Sequence, residues 1–143
     1  MLSRDLLRQI ALLLILALVP AAGQAIYLRE QTSWRAPAVQ KDEVTLDQAR
    51  AWGDKVLWID ARPDEQFVQR HVPGAISLNE DRWDELLPQM LATWSPDQHV
   101  VVYCSSQACA ASHEVARRLR EQAGLNNVLV LHGGWEAWLE ANK

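Results

Sequence analysis

The sequence predicts an α/β fold with a mostly parallel central sheet and helices on both faces, preceded by one N-terminal transmembrane or signal helix. Three observations carry this expectation. Val56-Leu57-Trp58-Ile59, Val100-Val101-Val102-Tyr103 and Val128-Leu129-Val130-Leu131 are uncharged, β-branched-rich runs of strand length, the pattern of strands buried on both faces. Stretches with helical start and stop signals separate them, as strand–helix–strand crossovers require. Finally, no charged side chain occurs in the 20 residues from Gln9 to Leu28.

That N-terminal run, as a helix rising ~1.5 Å per residue, reaches roughly 30 Å, the thickness of a bilayer's hydrocarbon core. An uncleaved single-pass anchor fits its full length, with Tyr27 and Trp34 near the far interface. A cleaved signal peptide fits Arg4 and Arg8, the apolar stretch Ile10–Val19, and then the small residues around Gly23-Gln24-Ala25. Both readings put the following domain on the extracytoplasmic side, as a membrane-held or as a secreted or periplasmic protein. Three segments result: 1–28 as anchor or signal, 29–41 as a linker containing Pro37, and 42–143 as the folded domain.

Within the domain, Thr45-Leu46-Asp47-Gln48 has capping-box spacing and opens a helix that ends near Gly53. Val56–Ile59 is the first strand. Pro63 sits as the first residue of a helix running to about Gln69. Val72-Pro73-Gly74 makes a turn into the brief strand Ala75–Leu78. Asp81 to about Trp94 reads as helical, with an interruption near Pro88. After the strand Val100–Tyr103, a helix runs from about Ala108 to Ala123. It places Ala111, Val115 and Leu119 on one face, and Gly124 stops it. Val128–Leu131 is the last strand and Trp135 to about Ala141 the closing helix.

The formal net charge of −4 conceals a split: residues 1–41 carry +3 and residues 42–143 carry −7. An acidic domain lacks the basic face that nucleic acid requires. Arg117, Arg118 and Arg120 form its one basic cluster and read as a solvated helix face offset by Glu114 and Glu121. Two cysteines, Cys104 and Cys109, are too few for a disulfide scaffold and, with only His113 nearby, too few for a zinc site, so no metal is expected. Seven of the ten aromatic residues are Trp. Trp52, Trp58, Trp83, Trp94 and Trp138 read as packing, and Trp135 as a wall beside Cys104.

Cys104 ends a strand just before a helix, where ligands bind in open α/β sheets. Backbone N–H groups converge in such a turn and the helix start adds partial positive charge, so a thiolate is favoured over a thiol. A buried, inert cysteine capping a strand fits the same position. Cys109, five residues on, is either a small residue packing the first helical turn or a resolving thiol. A curled loop would bring the two Cα atoms within the ~7 Å that a disulfide allows, as a resolving thiol requires.

In order along the chain stand Asp60-Ala61-Arg62, Phe67, His71-Val72-Pro73-Gly74-Ala75-Ile76, Val102-Tyr103-Cys104 and Gly133-Gly134-Trp135-Glu136-Ala137-Trp138. Together these resemble a single-domain rhodanese over nearly all of residues 44–140. The resemblance implies a rhodanese-like sheet and a sulfurtransferase in which Cys104 takes a sulfane sulfur from thiosulfate or a persulfide. The Cys104 persulfide then hands that sulfur to a thiol or cyanide acceptor, and no other cofactor is needed. The loop Ser105-Ser106-Gln107-Ala108-Cys109 would cradle the persulfide. Arg62 and Trp135 would contact substrate, while Asp60 with Arg62 and His71 would brace the backbone. Three positions depart from the family pattern: Gln107 replaces a common Gly, Cys109 a common Arg, and Arg70 the Gly before the motif His. A differently shaped loop and a donor bound without a loop arginine follow. Phosphatases of this fold place an arginine six residues after the cysteine; Ala110 stands there, which removes that chemistry. Two further functions remain open: a thiol redox module using Cys104 and Cys109, and a non-catalytic rhodanese-like binding domain.

Overall fold

Five strands, all parallel, form one sheet in the order β1-β5-β4-β2-β3, comprising β1 (Glu43–Val44), β2 (Val56–Asp60), β3 (Ile76–Ser77), β4 (His99–Tyr103) and β5 (Val128–Leu131). The computed structural model describes residues 8–9, 39–106 and 109–143, and those from Val39 onward belong to a single unit. Most of the expected anchor or signal segment 1–28, the linker up to residue 38, and Gln107 and Ala108 lie outside the described residues. Among the described residues, no helix is long and apolar enough to cross a membrane.

The helices are α1 (Leu46–Ala51), α2 (Asp64–Gln69), α3 (Trp83–Thr93), α4 (Ala110–Glu121) and α5 (Gly134–Glu140). Alternation along β4 explains why both sheet faces are covered. Val100 and Val102 join Leu57 and Ile59 in a core with α3 and α4, contributed by Trp83, Met90, Val115 and Leu119. Val101 and Tyr103 face the other way, into a second core with Val44, Ala49 and Leu131, against which Trp58, Trp135 and Trp138 pack. Trp138 meets Trp58 edge-on at 5.8 Å between ring centres.

Local signals act as read at most boundaries. The Thr45–Gln48 capping box is complete in both directions at the start of α1. Pro63 caps α2 from just outside it rather than occupying its first turn. The break expected near Pro88 does not occur: α3 is continuous through it. Pro88 forfeits one helical hydrogen bond, but the buried stripe Trp83, Leu86 and Met90 holds the helix on the sheet across that turn. The helix after Cys104 begins at Ala110, with Cys109 as its cap, and ends before Gly124, whose φ of 71° suits glycine.

The basic cluster is not a uniformly solvated face. Arg117 does pair with Glu114 and Glu121. Arg118, however, lies 4.0 Å over the Trp83 ring, and Arg120 donates to the Val128 carbonyl. Strand β1 was not anticipated, being two residues long and beginning with an acid. The Glu43 side chain is nonetheless buried, bonded to His132 Nδ1 at 2.9 Å and to the Gln40 N–H at 2.9 Å. Burial raises the cost of its charge, yet these bonds and the nearby His113 prevail and hold the Glu43 carboxyl below its ordinary range.

Candidate functional site

Because every strand runs the same way, Asp60, Cys104 and His132 all leave the sheet on one side, where β2, β4 and β5 end. Cys104 follows the central strand β4 and is 4% exposed. Its carbonyl accepts the Trp135 N–H at 2.7 Å, and the Ser105 carbonyl accepts the Glu136 N–H at 3.3 Å. The first turn of α5 is therefore docked directly on the loop that begins at Cys104. Gly134 makes this approach possible. A Cβ there would lie 2.5 Å from the Cys104 carbonyl oxygen, and its φ of 56° independently favours glycine.

Cys104 and Cys109 form a disulfide, with Cα atoms 6.1 Å apart. The two thiols flagged as a nucleophile and its possible resolving partner are thus within bonding reach, and this state has Cys104 covalently closed. Ser105 donates to the Gln66 side-chain oxygen at 3.1 Å, linking the loop to α2. Ser106 accepts the Cys109 N–H through its carbonyl. Gln107 and Ala108, also expected in the persulfide cradle, lie outside the described residues.

Behind the loop sits a buried polar lattice. Asp60, fully buried, accepts from Arg62 Nε at 2.9 Å and Nη2 at 2.6 Å, and from the Tyr103 hydroxyl at 2.7 Å. Tyr103 in turn accepts the Val72 N–H at 3.1 Å, and Arg62 donates to the Arg70 carbonyl at 2.7 Å. Burial works against the Arg62 charge, but the bonds to Asp60 outweigh it and raise the guanidinium's pKa. Burial and the adjacent Asp60 carboxylate push the Tyr103 hydroxyl well above its usual value, which keeps it a donor. Asp60 and Arg62 thus tie β2 to β4 and to the turn before β3. His71, by contrast, bonds through Nδ1 to the Phe67 carbonyl at 2.8 Å and stacks on the Phe67 ring at 4.1 Å.

A cleft of about 390 Å³ opens beside Ser105, within the roughly 300–1,000 Å³ common for small-molecule sites. Trp135 and Glu136 border it from α5, and Gln66, Gln69 and Arg70 from α2 and the residue after it. Arg62 reaches it as well, its guanidinium 4.5 Å from the Trp135 ring centre. Of the residues expected to contact substrate, the structure brings Arg62, Ser105 and Trp135 together here. Gln66 and Gln69, one turn apart on α2, were not singled out, and Arg70, the extended residue that follows the helix, was read only as a departure from the family pattern. Tyr103, read only as a strand residue, is the hub that joins Asp60 to Val72.

A model of the rhodanese-like domain matches residues 44–141. The chain belongs to the rhodanese-like family. The thiosulfate sulfurtransferase GlpE of Shewanella oneidensis is 34% identical over 84 residues, covering 59% of this chain and 76% of that protein. Among solved structures, a Bacillus halodurans protein superposes with a TM-score of 0.59 at 21% identity, covering 86% of this chain and 82% of that one. The thiosulfate sulfurtransferase of Pseudomonas aeruginosa matches with a TM-score of 0.59 at 22% identity, covering 76% of this chain but 20% of that one. At these identities the two structures establish the rhodanese-like α/β fold alone.

Proposed function

We propose that the protein is a sulfurtransferase with Cys104 as its sulfur carrier. The Cys104 thiolate attacks the sulfane sulfur of a donor such as thiosulfate, forming an Sγ–S bond while sulfite leaves with the electron pair. An acceptor thiolate or cyanide then attacks the outer sulfur, the Sγ–S bond breaks, and its electron pair returns to Cys104. A two-electron thiol reductant, which leaves as its own disulfide, first opens the Cys104–Cys109 bond to two thiols. The observation that carries the reading is Cys104 at the carboxyl end of the central strand, in a loop pinned by α5 and beside a cleft lined by Arg62, Arg70 and Trp135. Membership of the rhodanese-like family and the likeness to a thiosulfate sulfurtransferase support it. Ser105, Ser106, Gln107, Ala108 and Cys109 would surround the persulfide.

The test is to incubate reduced protein with thiosulfate and, separately, with inorganic polysulfide, and to weigh the peptide containing Cys104. One added sulfur is expected. Cys104→Ser should remove sulfur transfer and leave the fold intact; full transfer in that variant refutes the assignment.

A second reading, a thiol redox module, is favoured by the disulfide itself. In that case Cys109→Ser abolishes function as completely as Cys104→Ser, whereas a sulfurtransferase retains persulfide loading without Cys109. The proposal also takes residues 9–28 as a membrane anchor, or as a signal removed from a periplasmic or secreted form. Alkaline extraction of membranes and the N-terminal sequence of the mature protein distinguish the two.

A further inference from the structure

Two opposite charges border the cleft beside Ser105 with no ion pair or side-chain hydrogen bond among the described residues. Arg62 is occupied by Asp60 and by the Arg70 carbonyl. The Arg70 guanidinium has no such duty. Among the described residues it makes no ion pair or side-chain hydrogen bond, and lies 5.9 Å from the Trp135 ring centre. Glu136 borders the same cleft, and its carboxylate likewise pairs with nothing described. The two do not pair with each other although they face one small volume. Arg70 is held in place from behind: its N–H bonds to the Gln66 carbonyl, and its carbonyl is gripped by Arg62. Glu136 is anchored through its N–H to Ser105. The backbones of both residues are thus tied into the site, and the Arg70 guanidinium lies near the Trp135 ring.

A simple oxyanion donor would meet the Glu136 carboxylate as well as Arg70, and its attraction would be partly cancelled. A ligand carrying both charges satisfies both groups. We propose that this cleft binds the head of a zwitterionic amino-acid thiol, with its carboxylate on Arg70, its ammonium on Glu136, its carbon stem on Trp135 and its sulfur directed past Ser105 to Cys104. The inference rests on the sulfurtransferase reading and names the acceptor class for it. The acceptor thiolate attacks the outer sulfur of the Cys104 persulfide; the new S–S bond forms on the acceptor, and Cys104 keeps the electron pair as thiolate. Arg70 is then the specificity residue of a chain that has Cys109, not arginine, in its loop.

The experiment uses reduced full-length protein charged with inorganic polysulfide. Four acceptors are compared at equal thiolate concentration: cysteine with both charges, 3-mercaptopropionate with only the carboxylate, cysteamine with only the ammonium, and 2-mercaptoethanol with neither. Arg70→Ala should raise KM about tenfold or more for cysteine and 3-mercaptopropionate, with kcat and the other two acceptors unchanged. Arg70→Lys should recover part of that loss. Glu136→Gln should raise KM for cysteine and cysteamine alone. If all four KM values are the same in Arg70→Ala and in the parent protein, the zwitterion site is refuted while the persulfide carrier stands. If polysulfide leaves no sulfur on Cys104, the carrier reading fails and the proposal falls with it.

Discussion

Replacing Tyr103 by Phe tests the buried lattice with the removal of one oxygen atom. The ring is fully buried, so Phe fills the same space and leaves the packing unaltered. What disappears is a donor 2.7 Å from the Asp60 carboxylate and an acceptor 3.1 Å from the Val72 N–H. A hydrogen bond to a charged group is worth about 1.5–3 kcal/mol, and a buried N–H left without a partner costs about 1–3 kcal/mol. Asp60 keeps both Arg62 bonds, so the first figure belongs at its lower end. The expected loss is therefore about 2.5–4.5 kcal/mol. For a unit the size of Val39–Lys143 this is a fall in Tm on the order of 10–20 °C. Urea unfolding followed by circular dichroism, with m compared between the two proteins, gives the number. A change below about 0.5 kcal/mol at unchanged m, the scale of an ordinary surface substitution, would show that the lattice contributes no stability through Tyr103 and refute the reasoning.

Gly134→Ala should destabilise the fold and sharply reduce Cys104 persulfide loading, since the new Cβ meets the Cys104 carbonyl at 2.5 Å; mass analysis of loading beside a melting curve checks both. Mild oxidation of the persulfide-free domain should give the Cys104–Cys109 linkage by peptide mapping, whereas two separately alkylatable thiols would oppose it. Persulfide-loaded protein with Cys109 present should release one sulfide as the Cys109 thiolate attacks Cys104 Sγ and the outer sulfur departs with the electron pair; Cys109→Ser should retain its sulfur. The hydrogen bond from Arg82 holds the Asp64 carboxyl below its ordinary value of 3.8, so its contribution is fully present above that value and is lost as pH falls through the lower folded one. Arg82→Ala should accordingly flatten the acid limb of Tm measured from about pH 6 to about pH 2.

Sequence patterning made the sheet legible because its strands are buried on both faces. Val100–Tyr103 and Val128–Leu131 need no partner information to be read as strands, since continuous β-branched apolar content has few other uses at that length. Strand β1 gave no such signal. Two residues carry no periodicity, and Glu43 belongs in the sheet only because His132, 89 positions away, receives its carboxylate. Pro88 misled for the opposite reason, a local rule outweighed by the tertiary packing of Trp83 and Met90. Cys104 was visible as a strand-end cysteine, and Cys109 as a thiol within its reach. The cleft was only half visible. Trp135 and Arg62 stood in recognisable motifs, but Arg70 passed as a surface change at a turn, since its neighbour across the cleft, Glu136, lies 66 positions later in the chain.

The contact between Gly134-Trp135 and the Cys104 carbonyl has a consequence in time. Cys104 is made 30 residues before Gly134, and α5 is the last helix of the chain. Until that helix is synthesised and docked, the loop lacks its floor and the cleft lacks Trp135 and Glu136. The growing chain therefore carries the Cys104 thiol before it owns the cleft beside it. Docking of α5 completes the proposed site, and any product truncated before Gly133 holds the cysteine without that floor.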